Sequence, residues 1–271
     1  MSVSESEPLV SILTPSYNQG KYIEENIKSV RNQTTCSFEH IVVDANSSDS
    51  TVDILKNYED QYNLKWISEE DRGQSHALNK ALDIASGDWV GWQNADDYYV
   101  ENAFGYLANT IREQNPDVVY GDVKLVDSNS NEISRLYKTT PSNFVQRYRS
   151  LFASNQSAFV RREVLIEVGG FNEDYEYCMD VDLFTRLLKG NYTCAQVPEV
   201  IGCFRRHSEA KTHDNHEKQI EELSCIYNYS NFEQKGIVQS LAASTAKAYK
   251  ALLLLRQGRL NAIKYKFSEL V

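Results

Sequence analysis

From Pro8 to about Val123 the sequence alternates short apolar runs with segments of helical period, and this alternation constrains the fold more than any other feature. "LVSILT" predicts a strand, and "KYIEENIKSVRNQ" predicts a helix with Ile23, Ile27 and Val30 on one face. "EHIVVDA" reads as a second strand, and "SSDSTVDILKNYEDQ" opens a helix in which Ser50 and Asp53 form a capping box. "LKWISE", "DWVGWQN" and "PDVVYGDVKLV" are further strands, separated by the helical stretches "QSHALNKALDIAS" and "ENAFGYLANTIREQ". Strands alternating with helices imply right-handed crossovers and a mostly parallel sheet covered on both faces. Ligands of such sheets bind beyond the carboxyl ends of the strands. Four of those ends are polar or acidic: Pro15-Ser16-Tyr17-Asn18, Asp44-Ala45-Asn46, Glu69-Glu70-Asp71-Arg72-Gly73 and Asn94-Ala95-Asp96-Asp97. Residues 124–205 are less regular, and residues 210–271 read as helices without a strand signal.

Composition narrows the function classes. With 41% apolar and 24% charged residues, the chain has the profile of a soluble globular protein. No apolar run reaches the roughly 20 residues that span a bilayer. The N-terminus lacks a basic-then-apolar leader pattern, which predicts a cytoplasmic address. Five cysteines without paired spacing argue against a zinc site or a disulfide framework. A net charge of −10 argues against nucleic acid as the main partner. The charge is uneven, because residues 235–271 hold seven Lys/Arg against one acid, a net +6 that leaves −16 on the rest.

The stretch "WVGWQNADDYY" places two adjacent carboxylates, Asp96 and Asp97, at a strand end. One reading is structural, with Asp97 capping a helix that begins near Glu101. The other is a divalent-metal site, since hard Mg²⁺ or Mn²⁺ prefers carboxylate oxygens and phosphates can supply the remaining ligands. Neither a P-loop nor a Gly-x-Gly-x-x-Gly fingerprint is present, so a glycine loop does not cradle the phosphates.

Six segments, in order, resemble the family 2 inverting glycosyltransferases of the GT-A fold. They are "SILTPSYNQGKYIEENIKSV", "HIVVDANSSDSTVDIL", "EEDRGQSHALNKALDIASGDWVGWQNADD", "SAFVRREVLIEVGGFNE", "MDVDLFTRLL" and "FRRH". The resemblance implies an α/β fold of GT-A type, a mostly parallel sheet flanked by helices. It implies a transferase domain over residues 1–209, with a nucleotide-sugar half at about 8–123 and an acceptor half at about 124–209. A helical, basic extension follows at 210–271.

Residue by residue, the resemblance assigns Pro15 and Tyr17 to the loop that wraps the donor's base and ribose. It makes Asp44 the acid that hydrogen-bonds uracil or ribose, against a turn-forming alternative. Arg72 is similar to a base- or phosphate-contacting arginine, against a surface ion pair. Asn79 lies on a helix that lines the donor pocket in the family. Asp96 matches the last acid of an Asp-x-Asp motif, the direct metal ligand, with Asp97 in support. Asn94 stands at the first position of that motif, where many members have Asp. His207 resembles a late histidine that completes the metal shell or touches the diphosphate, and Arg205 and Arg206 before it are candidates for phosphate contact, against plain surface cations. Asp180 matches the catalytic base, while Asp182 is expected to cap the following helix. Asn155 and Gln156 are candidates for contact with the donor sugar or the acceptor, against loop hydrogen bonding.

These assignments predict a metal-dependent inverting enzyme. It takes a nucleotide-diphosphate sugar, a UDP-sugar in the leading form, with Mn²⁺ or Mg²⁺ as cofactor. The acceptor is a saccharide or lipid-linked saccharide, in surface polysaccharide synthesis. The competing classes are a non-catalytic nucleotide-sugar-binding module and a nucleotidyltransferase. For the basic C-terminal segment the alternatives are a solvated helix packed on the domain, a peripheral contact with the inner face of the membrane, or a homodimer contact.

Overall fold

The computed structural model describes residues 10–148, 151–209, 215–228, 236–260 and 262. Four parallel strands form one half of a nine-stranded sheet: β1 (Val10–Ser16), β2 (Phe38–Asp44), β3 (Leu64–Ser68) and β4 (Trp89–Trp92), in the order β3-β2-β1-β4. They are joined by α1 (Ile23–Arg31), α2 (Thr51–Tyr58) and α3 (Gln74–Ile84). The α/β fold, the mostly parallel sheet and a C-terminal helix are as the sequence predicts.

Period-2 alternation sorts β1 onto two cores. Val10 and Ile12 pack on one face with Trp89 and Phe104. Leu13 packs on the other with Ala77, Leu78 and Ala81 of α3. Helix α1 forms because Ile23, Asn26, Ile27 and Val30 share its buried face, with Glu24 and Glu25 in the first turn and Lys28 and Arg31 in the last, as the helix dipole favours. At α2 the capping box does not form. Ser50 is the N-cap but makes no side-chain cap bond. Instead Asp49 Oδ1 accepts the Thr51 N–H at 2.9 Å, and Asp49 Oδ2 accepts the Gly20 N–H at 2.8 Å. The acid one residue earlier ties two loops together and displaces the predicted cap.

The rest of the sheet is mixed. β8 (Ala158–Arg161) runs antiparallel to β4 and to β6 (Val118–Val126). β9 (Cys194–Arg205) is parallel to β6 and pairs antiparallel with the short β5 (Tyr98–Tyr99), while β7 (Glu132–Leu136) hangs on β6. A Cβ at Gly202 of β9 would lie 1.9 Å from the Gln156 carbonyl oxygen, so only glycine lets the 3₁₀ turn Asn155–Ser157 lie against this strand. The helices here are α4 (Ala103–Gln114), α5 (Asn143–Tyr148), α6 (Arg162–Glu167) and α7 (Met179–Lys189). Two more follow, α8 (His216–Tyr227) and α9 (Gly236–Arg256).

Asp182 does not cap α7. The helix starts at Met179 with Cys178 as N-cap, and the Asp182 carboxylate pairs one turn on with Arg186 at 2.7 Å. Trp92 fixes α7 to the sheet, being fully buried with its ring 5.2 Å from Phe171 and stacked 5.7 Å from Phe184. Trp92→Ala is expected to cost about 3–5 kcal/mol of stability, read as a lower denaturant midpoint at unchanged slope.

Candidate active site

The chain leaves β1 outward to β2 and β3, then returns to β4 on the other side of β1. Such a reversal opens a crevice at the carboxyl ends of the two strands. A cavity of about 610 Å³ occupies that place, walled by Pro15, Ser16 and Tyr17 after β1 and by Asn94, Ala95 and Asp96 after β4. Its size suits a small-molecule ligand. Gly73 and Gln74 close it at the start of α3, where Gly73 adopts φ +115°. Four carboxylates line the cavity, those of Glu70, Asp71, Asp96 and Glu209, and no Lys or Arg does among the described residues.

The Asn94–Asp97 turn is held from several directions. The Asp97 N–H donates to the Asn94 carbonyl at 3.0 Å. The Asn26 amide, fully buried on α1, donates to the carbonyls of Asn94 at 3.1 Å and Asp97 at 3.0 Å. Gln74 Nε2 donates to Asn94 Oδ1 at 2.6 Å. Asp96 faces the cavity, and His207 Nε2 lies 2.9 Å from its Oδ2. The His207 ring packs 4.7 Å from Tyr22, and its Nδ1 is buried without a hydrogen-bond partner among the described residues.

Asp97 turns the other way, which corrects its expected place in the metal shell. It is 1% exposed, its Oδ2 accepts from Gln156 Nε2 at 2.8 Å, and its Oδ1 accepts the Arg205 N–H at 2.9 Å. Nor does it cap a helix, since α4 begins at Ala103. Burial, reinforced by the adjacent Asp96 charge, pushes its carboxyl well above the ordinary range. Gln156 is therefore engaged beneath the site rather than offered to an acceptor. Asn155 beside it is buried and does not line the cavity.

Arg205 is the hub of this wall and not a phosphate contact. It is 1% exposed, donates from Nε to the Asp96 carbonyl at 2.8 Å, and pairs with Glu25. Its guanidinium also donates to Ser130 Oγ at 3.0 Å and lies over the rings of Tyr22 and Tyr98. Arg206 is exposed.

Three other expected donor residues lie outside the cavity. Asp44 is fully buried and forms the turn that competes with its binding role, accepting the Ser47 N–H at 2.9 Å and the Ser68 hydroxyl at 2.7 Å. Asn79 exchanges two hydrogen bonds with the Phe171 backbone, at 2.8 and 2.9 Å, so it fastens a loop to α3. Arg72 forks onto Glu173 at 2.7 Å as a surface ion pair.

Asp180 sits half-buried in the first turn of α7. That turn adjoins the α3 wall, because Ser75 Oγ lies 3.2 Å from Met179 Sδ while neighbouring Gln74 lines the cavity. Burial raises the Asp180 carboxyl above the ordinary range, opposed by the Val181 N–H at 2.8 Å and by the Lys138 ammonium.

Sequence reading missed Asn26, Gln74 and Glu209. Asn26 could have been found, being a polar residue on the face shared by Ile23 and Ile27. Glu209 carries no such signal.

The glycosyl transferase family 2 model matches residues 11–169, more than half of the chain. An uncharacterised glycosyltransferase of Rickettsia typhi is 31% identical over a match covering 84% of this chain and 73% of its own length. Chondroitin synthase of Escherichia coli is 28% identical over 66% of this chain, and the match spans 26% of that enzyme. Among solved structures, S. aureus TarS 1-349 in complex with UDP-GlcNAc superposes with a TM-score of 0.66 at 19% identity, over 88% of this chain and 71% of that one, a likeness in fold. The chain thus belongs to glycosyl transferase family 2 and is a glycosyltransferase of the GT-A fold.

Proposed function

We propose that the protein is a metal-dependent inverting glycosyltransferase that moves a sugar from a UDP-sugar to a hydroxyl of a saccharide or lipid-linked saccharide, in surface polysaccharide synthesis. One observation carries the reading: the crevice at the strand reversal holds four carboxylates and no basic side chain among the described residues. A sugar diphosphate is itself an anion, so this cavity accepts it only with a cation between them. Asp96 and His207 are the residues that would hold Mn²⁺ or Mg²⁺. Their side chains meet at 2.9 Å beside the cavity, and a carboxylate oxygen would suit either ion. When bound, the ion supplies Lewis-acid stabilisation of the leaving diphosphate.

The chain's own groups do the rest. Pro15 and Tyr17 wall the cavity where the base and ribose enter, and Tyr17, 61% exposed, offers a ring face for stacking. Asn94, held by Gln74, presents an amide to ribose hydroxyls. Asp180 takes the proton of the acceptor hydroxyl as the new bond forms on the face opposite the leaving group. A base raised toward neutrality is better matched to that task. The saccharide acceptor is supported by the chondroitin synthase relative and the UDP donor by the TarS likeness.

Calorimetric titration with UDP tests the reading. Affinity is expected to fall at least tenfold when EDTA replaces Mn²⁺, and equal affinities would sink the metal. In the same titration Asn94→Asp should bind UDP and Mn²⁺ more tightly, because an aspartate keeps the Gln74 bond and adds charge. Release of UDP rather than pyrophosphate in turnover separates this reading from a nucleotidyltransferase, and turnover itself separates it from a binding module.

In the basic C-terminal segment, Lys235, Lys264 and Lys266 lie outside the described residues. Of the other basic groups, Lys247 and Arg256 are exposed, whereas Lys250 is buried and Arg259 turns inward onto Asp122. No helix among the described residues is long and apolar enough to cross a membrane.

A further inference from the structure

Helix α7 carries Asp180 in its first turn, yet its N-cap residue, Cys178, makes no side-chain bond to the helix start. The chain leading into that turn is held from another helix. Glu222 of α8 is 5% exposed and turns its carboxylate onto three consecutive backbone N–H groups. Its Oε1 accepts the Glu176 N–H at 2.9 Å, and its Oε2 accepts those of Tyr177 at 2.9 Å and Cys178 at 2.8 Å. Consecutive N–H groups aimed at one point form a concavity that holds an anion, and the helix dipole behind it favours the same charge.

These bonds fix the turn on which Asp180 stands. The Cys178 N–H is taken by Glu222, and the Cys178 carbonyl accepts the Asp182 N–H at 2.9 Å, the first hydrogen bond of the helix. Asp180 lies between those two groups, and its Oδ1 accepts the Val181 N–H at 2.8 Å. Helix α8 is itself braced. Lys218, one turn before Glu222, pairs with the Glu176 side chain. At the other end the Tyr227 carbonyl accepts from Arg147 Nη1 at 2.7 Å, and the Tyr227 hydroxyl donates to the Gln146 carbonyl at 3.2 Å. Gln146 of α5 in turn donates from Nε2 to Thr185 Oγ1 of α7 at 2.9 Å. Hydrogen bonds thus join α5, α7 and α8 in a closed ring that holds α8 against α7.

From this arrangement we infer that Glu222 is a positioning residue for Asp180, so that α8 takes part in the reaction by setting the turn that carries the base. The inference rests on the reading of Asp180 as base. Neither α7 nor α8 falls within residues 11–169, which the family model matches. An ionised carboxylate suits this place because it only accepts. Glutamine there would turn an N–H₂ group against the same donors and leave one of them unpaired.

The test uses the full chain. Amide hydrogen exchange should find Tyr177, Cys178 and Asp182 protected, and Glu222→Gln should cut that protection at least tenfold while the amides of β1 and β4 keep theirs. Release of UDP from UDP-GlcNAc with Mn²⁺ should fall at least tenfold in the same variant, since a small misplacement of a reacting group costs up to about 10²-fold. Affinity for UDP with Mn²⁺ should stay within about twofold, because Glu222 does not line the donor cavity. In an Asp180→Asn background Glu222→Gln should change UDP release by less than about twofold, because it acts only through Asp180. Glu222→Asp, which keeps the charge on a shorter stem, takes over each measurement if the Gln variant does not fold. Unchanged protection at Cys178 and Asp182 would overturn the proposal. Lost protection with unchanged UDP release would make Glu222 merely structural, and an equal loss in the Asp180→Asn background would show that it acts elsewhere; either result overturns the proposal too. Wild-type release in Asp180→Asn would end the base reading instead, and the exchange measurement keeps the two failures apart.

Discussion

Asp96→Asn is expected to lower turnover of a UDP-sugar about a thousandfold while leaving the fold intact. The substitution keeps a side-chain oxygen facing His207 but removes the charge that an ion would meet. Lewis-acid stabilisation of a leaving diphosphate amounts to several kcal/mol, and about 4 kcal/mol corresponds to about three orders of magnitude in rate. The side chain is 17% exposed at the cavity wall, so the loss belongs to the chemistry and not to packing. The measurement is UDP released per enzyme at saturating Mn²⁺, alongside a melting curve. A loss below tenfold would mean that the ion is held elsewhere.

The second large effect belongs to Asp180. Asp180→Asn should reduce turnover about 10²–10⁴-fold, the range of general-base assistance, with affinity for UDP and Mn²⁺ unchanged. The pH dependence has a defined sign. A base acts when ionised, and burial raises the Asp180 carboxyl above the ordinary value. Wild-type turnover should therefore be full at high pH and fall as the pH drops through a midpoint higher than an exposed aspartate would give. Asp180→Asn should lack that limb in its residual activity. Persistence of the limb would assign the proton transfer to another group.

The strand-helix alternation made the fold legible because β1, β2 and β4 are buried on both faces and α1 to α3 on one, so apolar spacing and structure have a common cause. The crevice was legible for the same reason, since strand ends can be counted along a sequence. What spacing does not show is the direction in which consecutive loop residues point. Asp96 and Asp97 are adjacent, yet one faces the cavity and the other is sealed beneath it. Asp44 closes its own turn, because a short carboxylate three residues before a free N–H finds that partner first. Arg72 and Asn79 pair with a loop about a hundred residues away, and no local pattern announces the encounter. Arg205 in "FRRH" reads as a phosphate contact or a surface cation and is instead buried, because carbonyls, two tyrosine rings and Glu25 converge on it.

The convergence on Arg205 also fixes when the site can exist during synthesis. Asp96 meets His207 across 111 positions, and Asp97 receives the Arg205 N–H across 108. A nascent chain emerges from its N-terminus, and contacts this distant form late. Until β9 has emerged and docked, the Asn94–Asp97 turn has neither its histidine nor the donor that offsets a buried carboxylate. A ribosome-bound intermediate can therefore build β1 to β4 and still lack the Asp96–His207 pair proposed to hold the ion. That pair is completed only when β9 docks against β6 and β5.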